Sequence, residues 1–183
     1  MKVLVLCGGL LSLTLSAYSQ CSQFKEAVSS PKSVVTLDLT GCGVHVFPKE
    51  IFKCKNLTAL HLGPQRLIMY RSNEGSPIGG NLFKNLQDDF GKLKLLQILN
   101  LQATDLRSLP ESFVKLQHLK QLDLSFNPRL DSAVLFTILP KLTNLEKVNF
   151  TGCNLSKAAR VQLETLLVET TCVFNKSKMI AKE

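Results

Sequence analysis

Apolar residues recur along this chain in a fixed frame. The segments VVTLDLTGC, LTALHLGPQ, LQILNLQAT, LKQLDLSFN and LEKVNFTGC each place them at the first, fourth and sixth positions, with a polar residue or a cysteine at the ninth. The fourth-position residues are Leu37, Leu60, Leu99, Leu122 and Val148, at steps of 23, 39, 23 and 26 residues. A 23-residue period is therefore lengthened once by 16 residues (39−23) and once by 3 (26−23). Alternation of apolar and polar residues over so short a run predicts a strand whose leucines face a core while the residues between them face outward. The rest of each period, as in DLRSLPESFVKLQHL, returns Leu106, Leu109, Phe113, Leu116 and Leu119 toward the same core, most simply as short helix or 3-10 turns. One such unit cannot bury its apolar side alone; stacked units share a core.

The L-x-x-L-x-L-x-x-(N/C) frame resembles the leucine-rich-repeat family over roughly residues 33–175. The opening and ending are similar to those of small secreted bacterial leucine-rich-repeat proteins. The resemblance implies an α/β solenoid, an open arc of about five repeats with a parallel sheet on its concave side and short helices or 3-10 turns on its convex side. Both ends then need covers. QFKEAVSSPKS is read as an N-terminal helical turn with Phe24, Ala27 and Val28 toward the core and Pro31 as its stop. Behind the last repeat, Ala159, Leu163, Leu166 and Leu167 share one helical face, and Cys172-Val173-Phe174 is read as an edge strand.

The first residues stand apart. Lys2, the apolar run from Val3 to Leu15, and Ala17-Tyr18-Ser19 have the layout of a secretory signal peptide. The run falls short of the roughly 20 apolar residues of a membrane span. The expected organisation is a signal peptide at 1–19 and one domain at 20–183, with an N-terminal cap at 20–32, repeats at 33–155, an insert at about 68–83 and a C-terminal cap and tail at 156–183. The expected destination is secreted, periplasmic or on the cell envelope. In a lipoprotein reading Cys21 would be the acylated first residue, although Gln20 stands where such sites carry a small residue. Cleavage leaves five cysteines, an odd number that argues against a full disulfide framework. Cys42 and Cys153 fall at the ninth position and Cys54 aligns with Leu116, so all three are expected as buried free thiols; one bridge from Cys21 to Cys42 or Cys54 is the alternative. No Cys/His spacing suggests a metal, and no cofactor is expected.

Charge adds little to this picture. The formal net charge of +8, near +7 without Lys2, is scattered, and no basic helix or aromatic-interleaved basic strip of a nucleic-acid binder is present. The outward strand residues form columns. The central one reads Asp38, His61, Asn100, Asp123 and Asn149, flanked by residues that include Ile98, Gln121 and Lys147 on one side and Gln102 on the other. His61 lies one rung from Asp38, but catalysis would need a nucleophile and an oxyanion-binding loop beside the pair. The nearby hydroxyls are those of Thr36 and Thr40, but no oxyanion-binding loop is apparent and His–Asp neighbours are common on polar sheet faces, so no enzyme is expected. Asn100, facing solvent, is expected to add under about 1 kcal/mol to stability. The insert IMYRSNEGSPIGGNLF carries Tyr70 and Arg71, residue types enriched at interface hot spots; it is either a plain surface insertion or a recognition loop. Sequons beginning at Asn56, Asn149, Asn154 and Asn175 matter only in a eukaryotic source. The resulting expectation is a non-catalytic binding module that takes a protein or a surface glycan through its concave columns and the insert, with no nucleic-acid partner and no transmembrane segment. The alternative is a structural or envelope protein anchored through Cys21.

Overall fold

The computed structural model describes residues 22–44, 47–63 and 81–174. Helix α1 (Ser22–Ser29) precedes six short strands: β1 (Thr36–Asp38), β2 (Ala59–His61), β3 (Ile98–Asn100), β4 (Gln121–Asp123), β5 (Lys147–Asn149) and β6 (Thr171–Val173). Helix α2 (Ser132–Ile138) lies between β4 and β5, and α3 (Lys157–Leu166) between β5 and β6. Turns of 3-10 helix at Lys49–Lys53, Asp88–Lys92, Glu111–Lys115 and Leu139–Lys141 complete the repeats. The strands pair in parallel in chain order to form one sheet. Their register aligns Leu37, Leu60, Leu99, Leu122, Val148 and Cys172 in one row. The fold is thus the open α/β leucine-rich-repeat solenoid, with the C-terminal cap adding a sixth strand.

Two rows of side chains fill the interior. Leucines of the strand face, among them Leu62, Leu101 and Leu124, are fully buried. Behind them Phe47, Phe52, Phe83, Phe90 and Phe113 form a spine with ring centroids 4.7 to 6.1 Å apart, within the range in which aromatic pairs attract. The caps bury less than their sequences imply. Phe24 and Ala27 are buried but Val28 is 41% exposed, and Leu166 is also 41% exposed at the last turn of α3, where Leu167 enters the core instead.

Each three-residue strand ends in a tight turn that buries backbone groups, and those groups must find partners. The residue before the ninth position takes a left-handed conformation: φ is +70° at Gly41, +51° at Ala103, +57° at Phe126 and +74° at Gly152. The ninth-position side chain then serves the surrounding backbone. The Nδ2 of Asn127 donates to the carbonyls of Leu101 and Leu124 (2.8 Å each), and its Oδ1 accepts from the N–H groups of Thr104 (3.1 Å) and Leu106 (2.9 Å). The Thr104 hydroxyl donates to the Leu101 carbonyl at 2.8 Å, and the Cys153 thiol to the Leu124 carbonyl at 3.1 Å.

In the second repeat this role falls to Asn81. Its Nδ2 donates to the carbonyls of Leu39 (2.8 Å) and Leu62 (2.7 Å), and its Oδ1 accepts from the Val44 N–H at 2.7 Å. Gln65, assigned to that position on spacing, lies outside the described residues, as does Leu67. The insert boundary at 83 is therefore corrected: Asn81 is 1% and Phe83 2% exposed, and both belong to the repeat. In sequence Gly80-Asn81 matches Gly41-Cys42 and Gly152-Cys153, so the extra residues enter between Gly63 and that pair. A second correction concerns Cys42, which is disulfide-bonded to a partner outside the described residues. Cys54 and Cys153 are buried free thiols, and Cys172 is a half-buried one.

Replacing Asn127 by Ala leaves the buried N–H groups of Thr104 and Leu106 without an acceptor, at about 1–3 kcal/mol each. It also takes one of two donors from the Leu101 and Leu124 carbonyls, which keep the Thr104 hydroxyl and the Cys153 thiol. Urea melts should show Asn127→Ala losing about 3 kcal/mol or more, on a par with the roughly 2–5 kcal/mol expected for Leu101→Ala. A loss below about 1 kcal/mol for Asn127→Ala would contradict this account of the turn.

Candidate recognition surface

The concave face divides its side chains between two duties. In the central column Asp38 Oδ1 accepts the Thr40 N–H at 2.9 Å, Asn100 Oδ1 the Gln102 N–H at 2.8 Å, Asp123 Oδ1 the Ser125 N–H at 2.8 Å, and Asn149 Oδ1 the Thr151 N–H at 3.0 Å. A short carboxylate or carboxamide that bonds the backbone two residues on is an Asx turn, and here it closes the end of each strand. Asp123 is engaged further: Ser125 Oγ donates to its Oδ1 at 2.5 Å and Asn149 Nδ2 to its Oδ2 at 3.1 Å. Asn100 is therefore half-buried and structurally employed, which corrects the expectation that it merely faces solvent.

His61 is the exception in the column. The residue two further on is Gly63, whose N–H donates to the Asn100 carbonyl at 3.2 Å. A Cβ at Gly63 would lie 2.7 Å from Asn100 Oδ1 and closer still to the Gln102 backbone, so no other residue type fits where the insert leaves the sheet. The half-buried His61 ring makes no side-chain hydrogen bond to another described residue. Beside it Ile98, Gln121 and Lys147 stand in one row across β3, β4 and β5, all exposed. These three also make no side-chain hydrogen bond or ion pair among the described residues. With His61 they line a shallow depression of about 210 Å³.

The structure thus brings His61, Gln121 and Lys147 together, and sets Asp38, Asn100, Asp123 and Asn149 to capping. Gln102 is half-buried, and its backbone N–H is what Asn100 holds. Tyr70 and Arg71 lie outside the described residues. Ile98 did not stand out in sequence; the signal was there, since it is the one large apolar residue among the outward strand positions of β1 to β5.

Little in this surface suggests covalent chemistry. Burial pushes the Cys153 thiol up from about 9.0 to about 11, against a smaller lowering by the Asn127 backbone hydrogen bond. Burial raises Cys172 to about 11 and also raises Cys54. All three thiols are protonated near neutral pH, whereas a nucleophilic cysteine needs a lowered value. No group of His, Cys, Asp and Glu among the described residues could hold a metal, and no described helix is long and apolar enough to cross a membrane. His118 is exposed, with Nδ1 2.9 Å from the Lys94 carbonyl oxygen.

Neither protein-family descriptions nor curated protein sequences match this chain. Among solved structures it is similar to a leucine-rich-repeat protein from Leptospira interrogans, at 23% identity and a TM-score of 0.41, covering 77% of this chain and 43% of that one. It is also similar to the leucine-rich-repeat ectodomain of a receptor kinase from Arabidopsis thaliana, at 22% identity and a TM-score of 0.41, covering 61% of this chain and 52% of that one. The chain spans about half the length, or less, of both. The likeness is one of fold, and the surface stands on its own residues.

The division of duties is measurable. Asp123→Ala, which removes acceptors from two backbone or side-chain donors within its own turn, should cost about 1–3 kcal/mol in a denaturant melt. Gln121→Ala, two residues away, should stay within about 0.5 kcal/mol of the parent. Equal losses would show that the column does not cap the strands.

Proposed function

We propose that this protein is a secreted, non-catalytic recognition module that binds a protein partner on its concave face. The observation that carries the reading is the contiguity of His61, Ile98, Gln121 and Lys147, four side chains with no structural bond among the described residues on a face where their neighbours are committed to capping. An exposed apolar centre flanked by an imidazole, an amide and an ammonium suits a protein surface with an apolar anchor and an acidic rim. A surface glycan is the runner-up for the same patch. The insert leaves the sheet directly after His61 and Gly63, so Tyr70 and Arg71 extend this patch in our reading.

Export is part of the proposal. The Cys42 disulfide fits an oxidising compartment, in line with the signal-like residues 1–19. We take Cys21 as its partner. A sulfur held in a disulfide cannot also carry a lipid thioether, so this choice disfavours anchoring through Cys21. Intact-mass analysis of exported protein should give a Gln20 start, no lipid and one disulfide; a lipidated Cys21 start would replace this reading with an envelope-anchored one.

The binding test compares variants against the partner recovered by crosslinking with the mature protein. Lys147→Glu combined with Ile98→Ser should weaken binding at least tenfold, about 1.4 kcal/mol, with an unchanged melt. Deleting residues 64–79 restores the 23-residue step and keeps Gly80-Asn81 in place, so the fold should survive while affinity falls. Full binding by both variants would remove the concave patch and the insert from recognition.

A further inference from the structure

The convex side carries a regularity that the concave reading does not use. Each of the four 3-10 turns has a lysine in its last turn: Lys53, Lys92, Lys115 and Lys141. All four are exposed. Lys92 pairs with Asp89 at 2.8 Å, and the other three have no ion pair among the described residues. A neighbouring pair, Lys55 and Lys94, flanks the row, and Lys55 Nζ reaches the Lys92 carbonyl of the next repeat at 3.4 Å. Lys55, Lys92, Lys94, Lys115 and Lys141 line one open groove of about 1360 Å³ together with Asp88, Asp89, Glu111 and the 42%-exposed Leu95, five cations against three anions. The carbonyl end of a 3-10 turn favours a cation, which accounts for single lysines. The acids of the same turns reduce the mutual repulsion of lysines stacked repeat on repeat but do not cancel it, since lysines outnumber them in the groove five to three.

We propose that this row binds a linear acidic polysaccharide carrying a carboxylate or sulfate on each sugar ring. Rungs of a parallel sheet repeat at about 4.8 Å, and somewhat more on the outer side of an arc. A sugar ring advances its chain by a similar distance, so charge and ammonium stay in step from repeat to repeat. Lysine suits the task because its flexible stem absorbs a residual mismatch. Leu95 and the half-buried Val114 offer apolar contact to the C–H faces of the rings. No aromatic side chain lines the groove, so it lacks the stacking platform of a single-stranded nucleic-acid site. Glu50, Asp88, Asp89 and Glu111 stand in the first turns of the same elements, and all but Glu50 line the groove with the lysines. These acids leave a narrow line of lysines, which a thin anionic chain can follow and a flat anionic membrane cannot.

The test is titration of the mature protein with polygalacturonate and with dextran sulfate, using neutral dextran and anionic phosphatidylglycerol vesicles as comparisons. Binding to at least one of the two acidic polymers should appear at low salt and weaken as salt rises. Changing Lys53, Lys92, Lys115 and Lys141 together to Gln should weaken it at least tenfold. Changing Lys25, Lys84, Lys120 and Lys157 to Gln, an equal loss of charge off the row, should change it less than threefold. Should the row variant melt below the parent, Lys115→Glu alone serves, with at least a threefold loss expected. Equal effects of the two quadruple variants, no binding to either acidic polymer, or preferential binding to the vesicles would each overturn the proposal.

Discussion

The structure depends on how a three-residue strand is brought to an end. A strand this short turns back into the interior almost at once, burying carbonyls and N–H groups that the sheet does not pair. Asn127 and Asn81 resolve this by bonding the carbonyls of two successive repeats while accepting N–H groups from the turn, so β2 is tied to β1 and β4 to β3. Apolar area drives the stacking, but leucine contacts alone are non-directional. The side-chain to backbone bonds make the register unique. The left-handed residue just before them follows from the same demand, and even Phe126 accepts it.

That constraint explains what could be read in the sequence and what could not. The strands, their register and the order of the sheet were legible because Leu37, Leu60, Leu99, Leu122 and Val148 repeat with an inward-facing period that sterics enforce. The second-repeat turn was not. Counting forward from Leu62 leads to Gln65, whereas the chain inserts residues after Gly63 and resumes the repeat at Asn81. The cue was chemical rather than periodic: a Gly-Asn pair that can supply both a positive φ and a four-way amide. The concave site was only half legible. Outward-facing positions were identifiable from alternation, but whether an Asp or Asn there caps its own strand or awaits a ligand depends on the backbone two residues later. Ile98 was passed over because an isolated outward isoleucine is unremarkable until its neighbours prove to be committed. Val28 and Leu166 were misplaced for a related reason, since an apolar residue near the end of a cap helix need not have anything left to pack against.

The two faces carry different kinds of regularity. On the concave side the capping column is broken at His61, beside Ile98, Gln121 and Lys147 of the flanking row, and irregularity of that kind suits one specific partner. On the convex side the lysines keep step with the repeat, which suits a ligand that itself repeats. A solenoid can present both because its layers meet in a core of leucine and phenylalanine that neither surface needs to disturb.

The central claim is that the Asx column builds the sheet while its neighbours recognise. Native-state hydrogen exchange on the partner-free protein tests it most directly, because the amides of Gln102, Ser125 and Thr151 are held by the side chains of Asn100, Asp123 and Asn149. The account predicts that these amides exchange as slowly as those of Leu101 and Leu124 in the sheet, near the limit set by global unfolding. Exchange at the rate of exposed loop amides would mean that the column is free on the surface, and the division of duties would be contradicted.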